Sequence, residues 1–347
     1  MASEILVQEK VGKGHPDKIC DFIAETVKNY LINIDEEART AIEVCAFKVE
    51  QTPPYSRVII FGEYNINQTI IDLEAKIKAF VIKKLIENLT KAYYDYLNIK
   101  IEIALAKQSG EIKAKSEAGA GDQGIIAHHY KESIENLFEK VTKVKEKLDN
   151  WPSIGKDWKF LIDCKKKTII VNFHFPHYLH EKYSPDKESQ KIENYLKTVW
   201  KDFEPDINYY HQGSILSDSG LTGRKIFCDF PFGYVWGGGA VWGKDASKVD
   251  NSALLYLRAF AKSLAQLGNY KHVKVTLVYN IGVSTPTACE IIADGEELPS
   301  ASYINQFHTK NLDNTIRNQT TAEIFKKTKD QTKANWQQAL KKHPHTV

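Results

Sequence analysis

Asp218-Ser219-Gly220-Leu221-Thr222-Gly223-Arg224-Lys225 is followed closely by Gly237-Gly238-Gly239-Ala240-Val241-Trp242-Gly243-Lys244-Asp245-Ala246-Ser247-Lys248-Val249-Asp250. This stretch gathers the cations Arg224, Lys225, Lys244 and Lys248 around glycines and the acids Asp218, Asp245 and Asp250. Such a mixture suits a polyphosphate: glycines let backbone N–H groups approach phosphate oxygens, basic side chains neutralise charge, and carboxylates can hold magnesium. The alternative reading is a glycine-rich hairpin whose charges simply face water. Directly after it, Val249, Ala253, Leu257, Phe260, Leu264 and Leu267 recur at steps of three and four, predicting a helix that Gly268 ends. Ser247 with Asp250 fits a capping box, placing the cluster before a helix N-terminus that favours anions.

Working outward, short strands and helices alternate, which predicts an α/β (α+β) protein built of small sheets. A strand over residues 4–8 leads to Gly12-Lys13-Gly14-His15-Pro16-Asp17-Lys18 and then to a helix through Ile19, Ile23, Val27 and Leu31. Pro16 suits a first helical turn, so His15 and Asp17 stand at that turn, as a cap or as a site. Strands are expected at Thr40 to Val49, carrying Glu43, and Arg57 to Tyr64, carrying Glu63. In each, a lone acid reads as an outward-facing solubiliser or as a ligand. A helix from Thr69 to Leu89, a strand from Lys100 to Ala106 and a polar mobile loop from Lys107 to Glu117, with Gln108, complete the first unit.

Gly119-Ala120-Gly121-Asp122-Gln123-Gly124 satisfies G-x-G-x-x-G, but Ala114 to Ala118 before it is no strand, which argues against a dinucleotide fold. Asp122 reads as a turn carboxylate. Farther on come a helix over 130–148, Asp157 and Lys159 at the start of a strand hairpin, and a helix over 188–203. His174, His177 and His180 stand at steps of three, yet Pro176 argues against the helix that would align them for zinc. After a strand from His272 to Tyr279, the last sixty or so residues read as surface helices and a tail.

At 347 residues the chain exceeds one ordinary core. Basic and acidic residues number 47 and 44, too nearly balanced for a nucleic-acid binder. Five scattered cysteines without a C-x-x-C pair predict reduced thiols. No apolar stretch is long enough for a membrane span, and a cytoplasmic protein is the expectation.

Together, Gly14 to Lys18, Gly119 to Gly124, Gly220 to Lys225, and Gly237 to Ala240 with Gly243 to Asp245 resemble the S-adenosylmethionine synthetase (methionine adenosyltransferase) family, in order and spacing, over approximately residues 3–290. The resemblance implies three similar subdomains with pseudo-threefold symmetry, here 1–125, 126–235 and 236–347 with exchanged segments, and a homodimer or homotetramer with active sites between subunits. It implies that ATP and L-methionine give S-adenosylmethionine, phosphate and diphosphate, with two Mg2+ per site and K+.

By the same resemblance, His15, Lys159, Arg224 and Lys244 would be catalytic. Asp157, Tyr209, Tyr210, Asp218, Lys225 and Ala240 would join them around ATP, and Glu63, Gln108, Asp122, Asp218 and Lys248 would meet methionine. Asp17 and Asp250 would hold magnesium, Glu43 would hold potassium, and residues 107–117 would form a gate. The chain departs from the family pattern at Ser214-Ile215, at Tyr209-Tyr210 where an Arg-Phe pair is usual, at Val241-Trp242 and in the gate, which lacks its common Pro-Asp. Two other readings stand beside this one. Gly238 to Lys244 matches a P-loop, although Asp245 occupies the Ser/Thr position that magnesium needs. The altered motifs also fit a non-catalytic nucleotide-binding subunit.

Overall fold

A computed structural model describes residues 7–111, 114, 119–130, 132–230, 235–301, 303–309 and 312, with side chains excluded at 132–135. In chain order the elements begin with β1 (Val7–Val11), α1 (Pro16–Ile34), β2 (Arg39–Val49), β3 (Tyr55–Asn65), α2 (Leu73–Leu89), α3 (Lys91–Leu97) and β4 (Ile99–Lys107). Next come β5 (Gln123–Tyr130), α4 (Glu132–Asp149), β6 (Trp158–Asp163), β7 (Thr168–His174), α5 (Pro185–Val199) and β8 (Glu204–Tyr210). The chain continues through β9 (Gly220–Leu221), α6 (Ile226–Asp229), β10 (Val235–Gly237), α7 (Ser252–Gly268), β11 (His272–Tyr279), β12 (Ala288–Ala293) and β13 (Glu296–Leu298).

The strands form three small sheets, ordered β1-β6-β7-β8, β4-β3-β2-β9 and β10-β5-β11-β12-β13. One plan recurs: a long helix (α1, α4 or α7) precedes an antiparallel hairpin (β2-β3, β6-β7 or β11-β12), and a later strand adds to the hairpin's second member. In the first two cases a helical crossover makes that added strand parallel, β4 on β3 and β8 on β7, as a connection of that length allows. The other side of each hairpin is covered by a strand from elsewhere in the chain: β9 on β2, β1 on β6 and β5 on β11. This borrowing brings the sequence motifs together.

Each sheet carries its own apolar core. Ile19, Ile23, Val27 and Leu31 of α1 and Ile77, Val81, Leu85 and Leu89 of α2 lie four residues apart and are fully buried. Each such side chain contributes about 1.5–3 kcal/mol on leaving water. Trp158, Phe160 and Phe173 fill the sheet that contains β1, and Phe260, Tyr303 and Phe307 fill the one that contains β5. All five cysteines are free thiols. No helix among the described residues is long and apolar enough to cross a membrane.

Several elements differ from the sequence expectations. The first strand is Val7–Val11, and residues 1–6 lie outside the described ones. Strand β5 begins at Gln123, inside the glycine-rich turn expected around Asp122, and α3, β8 and β10 have no counterpart among the expected elements. The surface helices expected after residue 287 are replaced at first by β12 and β13, while Tyr303 and Phe307 enter the core; residues 313–347 lie outside the described ones. The Ser247–Asp250 capping box does not form. Helix α7 starts at Ser252 with Asn251 as an uncapped N-cap, and Asp250 faces Lys244 instead.

The Lys244 loop is fastened to β2. Ile42 N donates to Gly243 O at 3.0 Å, Asp245 N donates to Thr40 O at 3.2 Å, and Ala41 bridges Lys244. Buried Asp245 accepts from Thr40 N at 2.6 Å. Gly243 has φ +79°, and a Cβ there would overlap Ile42 O and crowd Ala24. Gly243→Ala is therefore expected to destabilise the fold by about 2–4 kcal/mol, combining left-handed strain with a backbone clash. Equilibrium denaturant unfolding measures this; a loss below the error of the method would contradict it.

Candidate active site

The turn after β1 runs against the start of β6. Gly12 N donates to Trp158 O at 2.8 Å and Gly14 N to Lys156 O at 2.7 Å, which sets His15 beside Asp157 and Lys159. His15 caps α1, its Nδ1 accepting from Asp17 N at 3.2 Å. That bond puts the ring proton on Nε2 in the neutral form. Burial, and then the positive charge of Lys225, lower the His15 pKa to about 4 against the opposing pull of Asp17. The imidazole is therefore neutral near pH 7 and presents a donor.

Asp17 is fully buried and draws the second motif onto the first. Arg224 Nε lies 2.9 Å from its Oδ1, Lys225 Nζ lies 3.0 Å from its Oδ2, and Leu221 N donates to Oδ1 at 2.9 Å. Although Lys225 is close, Oδ2 has no hydrogen bond of acceptable geometry. Arg224 is held by Ser219 O at 2.6 Å and keeps an exposed side chain. Asp157, 7% exposed, accepts from Ser214 N at 2.6 Å, while Ser214 Oγ donates to Gly14 O at 2.5 Å. Exposed Asp218 raises the pKa of both His15 and Asp157 by its charge. His15, Asp17, Asp157, Lys159, Asp218, Arg224 and Lys225 thus form one group. Lys159 also lies 3.3 Å from Glu9.

Burial raises the Asp157 pKa to about 6, only partly offset by its bond from Ser214. Its ionised form is therefore disfavoured in the fold, and the penalty grows as pH rises from the unfolded value near 3.9 through 6. Asp157→Asn should keep the acceptor for Ser214 N and escape this penalty. Chemical denaturation at pH 7.5 is expected to show a gain of about 1–3 kcal/mol that vanishes near pH 4. A stability difference independent of pH would refute the cause.

A second group surrounds Asp250. Lys244 Nζ lies 2.8 Å from Oδ2, and Gln123 Nε2 donates to Oδ1. Gly239 permits this approach, since a Cβ there would sit 2.5 Å from Asp250 Oδ1 and 2.7 Å from Lys244 Nζ. Ala240 packs directly on Gly223, so the two glycine loops touch. Lys248 is half-buried in the turn that follows, its N–H bonded to Asp245 O at 3.1 Å.

A third set lies along the β2-β3-β4 sheet. Half-buried Glu63 stands opposite Ala41, which bridges Lys244, and Gln108 follows β4 with its N–H on Tyr64 O at 2.9 Å. The Gln108 Oε1 atom is buried without a hydrogen bond. Glu43 is exposed on β2.

Not every candidate converges. Tyr209 and Tyr210 are neighbours on β8 and face opposite ways: the Tyr209 hydroxyl donates to Asp186 at 3.2 Å, while Tyr210 stacks on His174 and donates to Asp157 O at 3.4 Å. Asp122 is exposed, and its neighbour Gln123 makes the contact with Asp250. Sequence reasoning missed Gln123 and Ser214, although both sit inside quoted stretches. The expected gate spans 107–117, of which 112, 113 and 115–117 lie outside the described residues. His174 is buried between Tyr93 and the His211 carbonyl, and no metal-holding group of three or more His, Cys, Asp or Glu exists among the described residues.

Known proteins resemble this chain over most of its length. Residues 3–110 match the family description "S-adenosylmethionine synthetase, N-terminal domain", and residues 212–340 match "S-adenosylmethionine synthetase, C-terminal domain". The S-adenosylmethionine synthase of Acholeplasma laidlawii is 31% identical, over 93% of this chain and 87% of the relative. That of Borreliella afzelii is 30% identical, over 90% and 86%. The fold matches the structure of an unusual S-adenosylmethionine synthetase from Campylobacter jejuni with a TM-score of 0.70, 24% identity and 92% coverage of both chains. An α/β transferase is the class these features define. The chain belongs to the S-adenosylmethionine synthetase family, the methionine adenosyltransferases.

Proposed function

We propose that this chain joins ATP to L-methionine, the thioether sulfur attacking C5′ of the ribose and expelling tripolyphosphate, which water then splits to phosphate and diphosphate. The observation that carries this reading is the convergence of neutral His15 with Lys159, Arg224 and Lys225 around two buried carboxylates. Sulfur is a neutral nucleophile needing no base, so the catalytic work is alignment and stabilisation of a polyanionic leaving group. Two unit charges 4 Å apart interact by about 4 kcal/mol at an effective dielectric near 20. His15 Nε2–H would donate to the triphosphate near the breaking bond, Arg224, Lys225, Lys159 and Lys244 would clamp it, and Asp157 with Tyr210 would support the nucleotide.

Asp17 and Asp250 fit the role of magnesium ligands. Each carboxylate faces an ammonium group, at 3.0 Å and 2.8 Å, and Asp17 Oδ2 is buried without a hydrogen bond. Magnesium takes one or two carboxylates and completes its shell with water and phosphate oxygens, so the lack of a larger acidic cluster among the described residues is no obstacle. When bound, it would neutralise charge on the triphosphate. Glu43 is the proposed potassium contact, and Glu63, Gln108, Asp218 and Lys248 are the proposed methionine contacts.

In the described contacts Lys244 pairs with Asp250 and Asp250 with Gln123, not with the His15 group, and Glu43 is exposed. This supports an active site completed by a second copy of the chain. The test is formation of S-adenosylmethionine from ATP, methionine and magnesium, with and without potassium. Nucleotide binding without a sulfonium product would favour a non-catalytic subunit, and release of ADP would favour phosphoryl transfer.

A further inference from the structure

Lys18 closes the first motif, and its ammonium is buried between two carboxylates: Asp21 Oδ2 at 2.9 Å, and both oxygens of Asp229 at 2.8 and 2.9 Å. The fourth side of this ammonium is the Trp242 indole, whose ring centroid lies 4.6 Å away. Trp242 Nε1 donates to Asp229 Oδ2 at 3.0 Å. Asp21 completes the circuit, its Oδ1 accepting from Gly223 N at 2.7 Å.

These residues link three of the proposed phosphate-binding segments, the start of α1, the Arg224–Lys225 loop and the Lys244 loop. Gly223 immediately precedes Arg224 and Lys225, Asp229 ends α6 directly after them, and Trp242 lies two residues before Lys244. Helix α6 is fixed from behind by β1, where Gln8 Nε2 donates to Phe227 O at 3.1 Å and Lys10 Nζ to Cys228 O at 2.5 Å. Gly223 and Ala240 leave no room for a Cβ between them, 2.6 Å separating its position from the alanine methyl.

Two carboxylates around one buried ammonium leave one negative charge uncompensated, and the indole N–H is the donor that answers it on the side of the Lys244 loop. The indole face also suits a cation. We propose that Trp242 is a positioning residue, holding the Lys244 loop and the Arg224–Lys225 loop in fixed register through Asp229 and Lys18. Each chain then presents both loops as one rigid unit, whether one site uses both or two sites share them. The inference rests on reading those loops as triphosphate ligands.

Trp242→Phe keeps a ring over Lys18 and removes the N–H, and the full-length variant can be compared with wild type by kinetics and by binding of inorganic tripolyphosphate with magnesium. The expected result is a loss of about tenfold in both kcat and tripolyphosphate affinity, with the KM for methionine little changed. The melting temperature reports whether the variant folds. Because Trp242 acts through Asp229, adding Asp229→Asn should lower affinity no further than the worse single change. Unchanged tripolyphosphate affinity in Trp242→Phe, or losses that multiply in the double variant, would overturn the proposal. Wild-type protein that binds tripolyphosphate but makes no sulfonium would refute the proposed reaction, while the affinity ratio would still decide this inference.

Discussion

Replacing His15 by alanine is expected to lower kcat by about 10²–10³-fold, the usual cost of removing a donor aimed at charge that develops in a transition state. The KM for methionine should change less than kcat, because Glu63, Gln108 and Lys248 lie on the β2-β3-β4 sheet and in the turn at Lys248, leaving Asp218 as the proposed methionine contact in the His15 group. The role as a neutral donor has its own signature in pH. With its pKa held near 4 by burial and by Lys225, His15 does not change charge between pH 6 and 8, so kcat should show no histidine limb there. A limb near 6.5 in wild type that disappears in His15→Asn would contradict the assignment. Stability offers an independent check. A histidine with a lowered folded pKa binds more protons when unfolded, so its contribution is intact above pH 6.5 and is lost as pH falls toward 4. His15→Asn should lack that part of the acid sensitivity.

How much of this was legible in the letters depends on range. The helix register of α1, set by Ile19, Ile23, Val27 and Leu31, and the cap at His15 with Pro16 beside it are local and could be read directly. So could the concentration of cations and glycines between residues 218 and 250. What could not be read is which distant strand each sheet borrows. Strand β5 passes through Gln123 and Gly124 with little β propensity, and tertiary pairing with β10 and β11 decides its conformation. That pairing also chose Gln123 over Asp122 as the side chain that reaches Asp250.

The same limit explains Asp250 itself. Its spacing from Ser247 satisfied a capping rule, but a cap is a weak local preference, and an ammonium at 2.8 Å competes for the same carboxylate. The Tyr209-Tyr210 pair could be located but not divided between two faces until the parallel register of β8 against β7 was known. Lys18 and Trp242 carried no isolated signal. Their meaning lies in Asp21 and Asp229, which the chain brings to them from separate elements.

The second large effect is expected at Lys244. Its ammonium is the cation paired with Asp250 among the described contacts, so Lys244→Ala removes a proposed clamp on the leaving group and also leaves a half-buried carboxylate facing the proposed triphosphate site. Both changes act against the transition state, and turnover should fall about a hundredfold or more. The loop itself should stay in place, because backbone bonds from Ile42 and to Thr40 hold it on β2 irrespective of the side chain. The stability cost should accordingly be only about 1–3 kcal/mol, that of breaking one partly buried charge pair. Lys244→Arg keeps the charge but spreads it over a planar fork that fits the space at Gly239 poorly, so an intermediate loss is expected. Steady-state kinetics on both variants at saturating magnesium separates the two contributions. Near-wild-type turnover in Lys244→Ala would remove the second glycine loop from the chemistry, and with it the case that both loops grip one triphosphate.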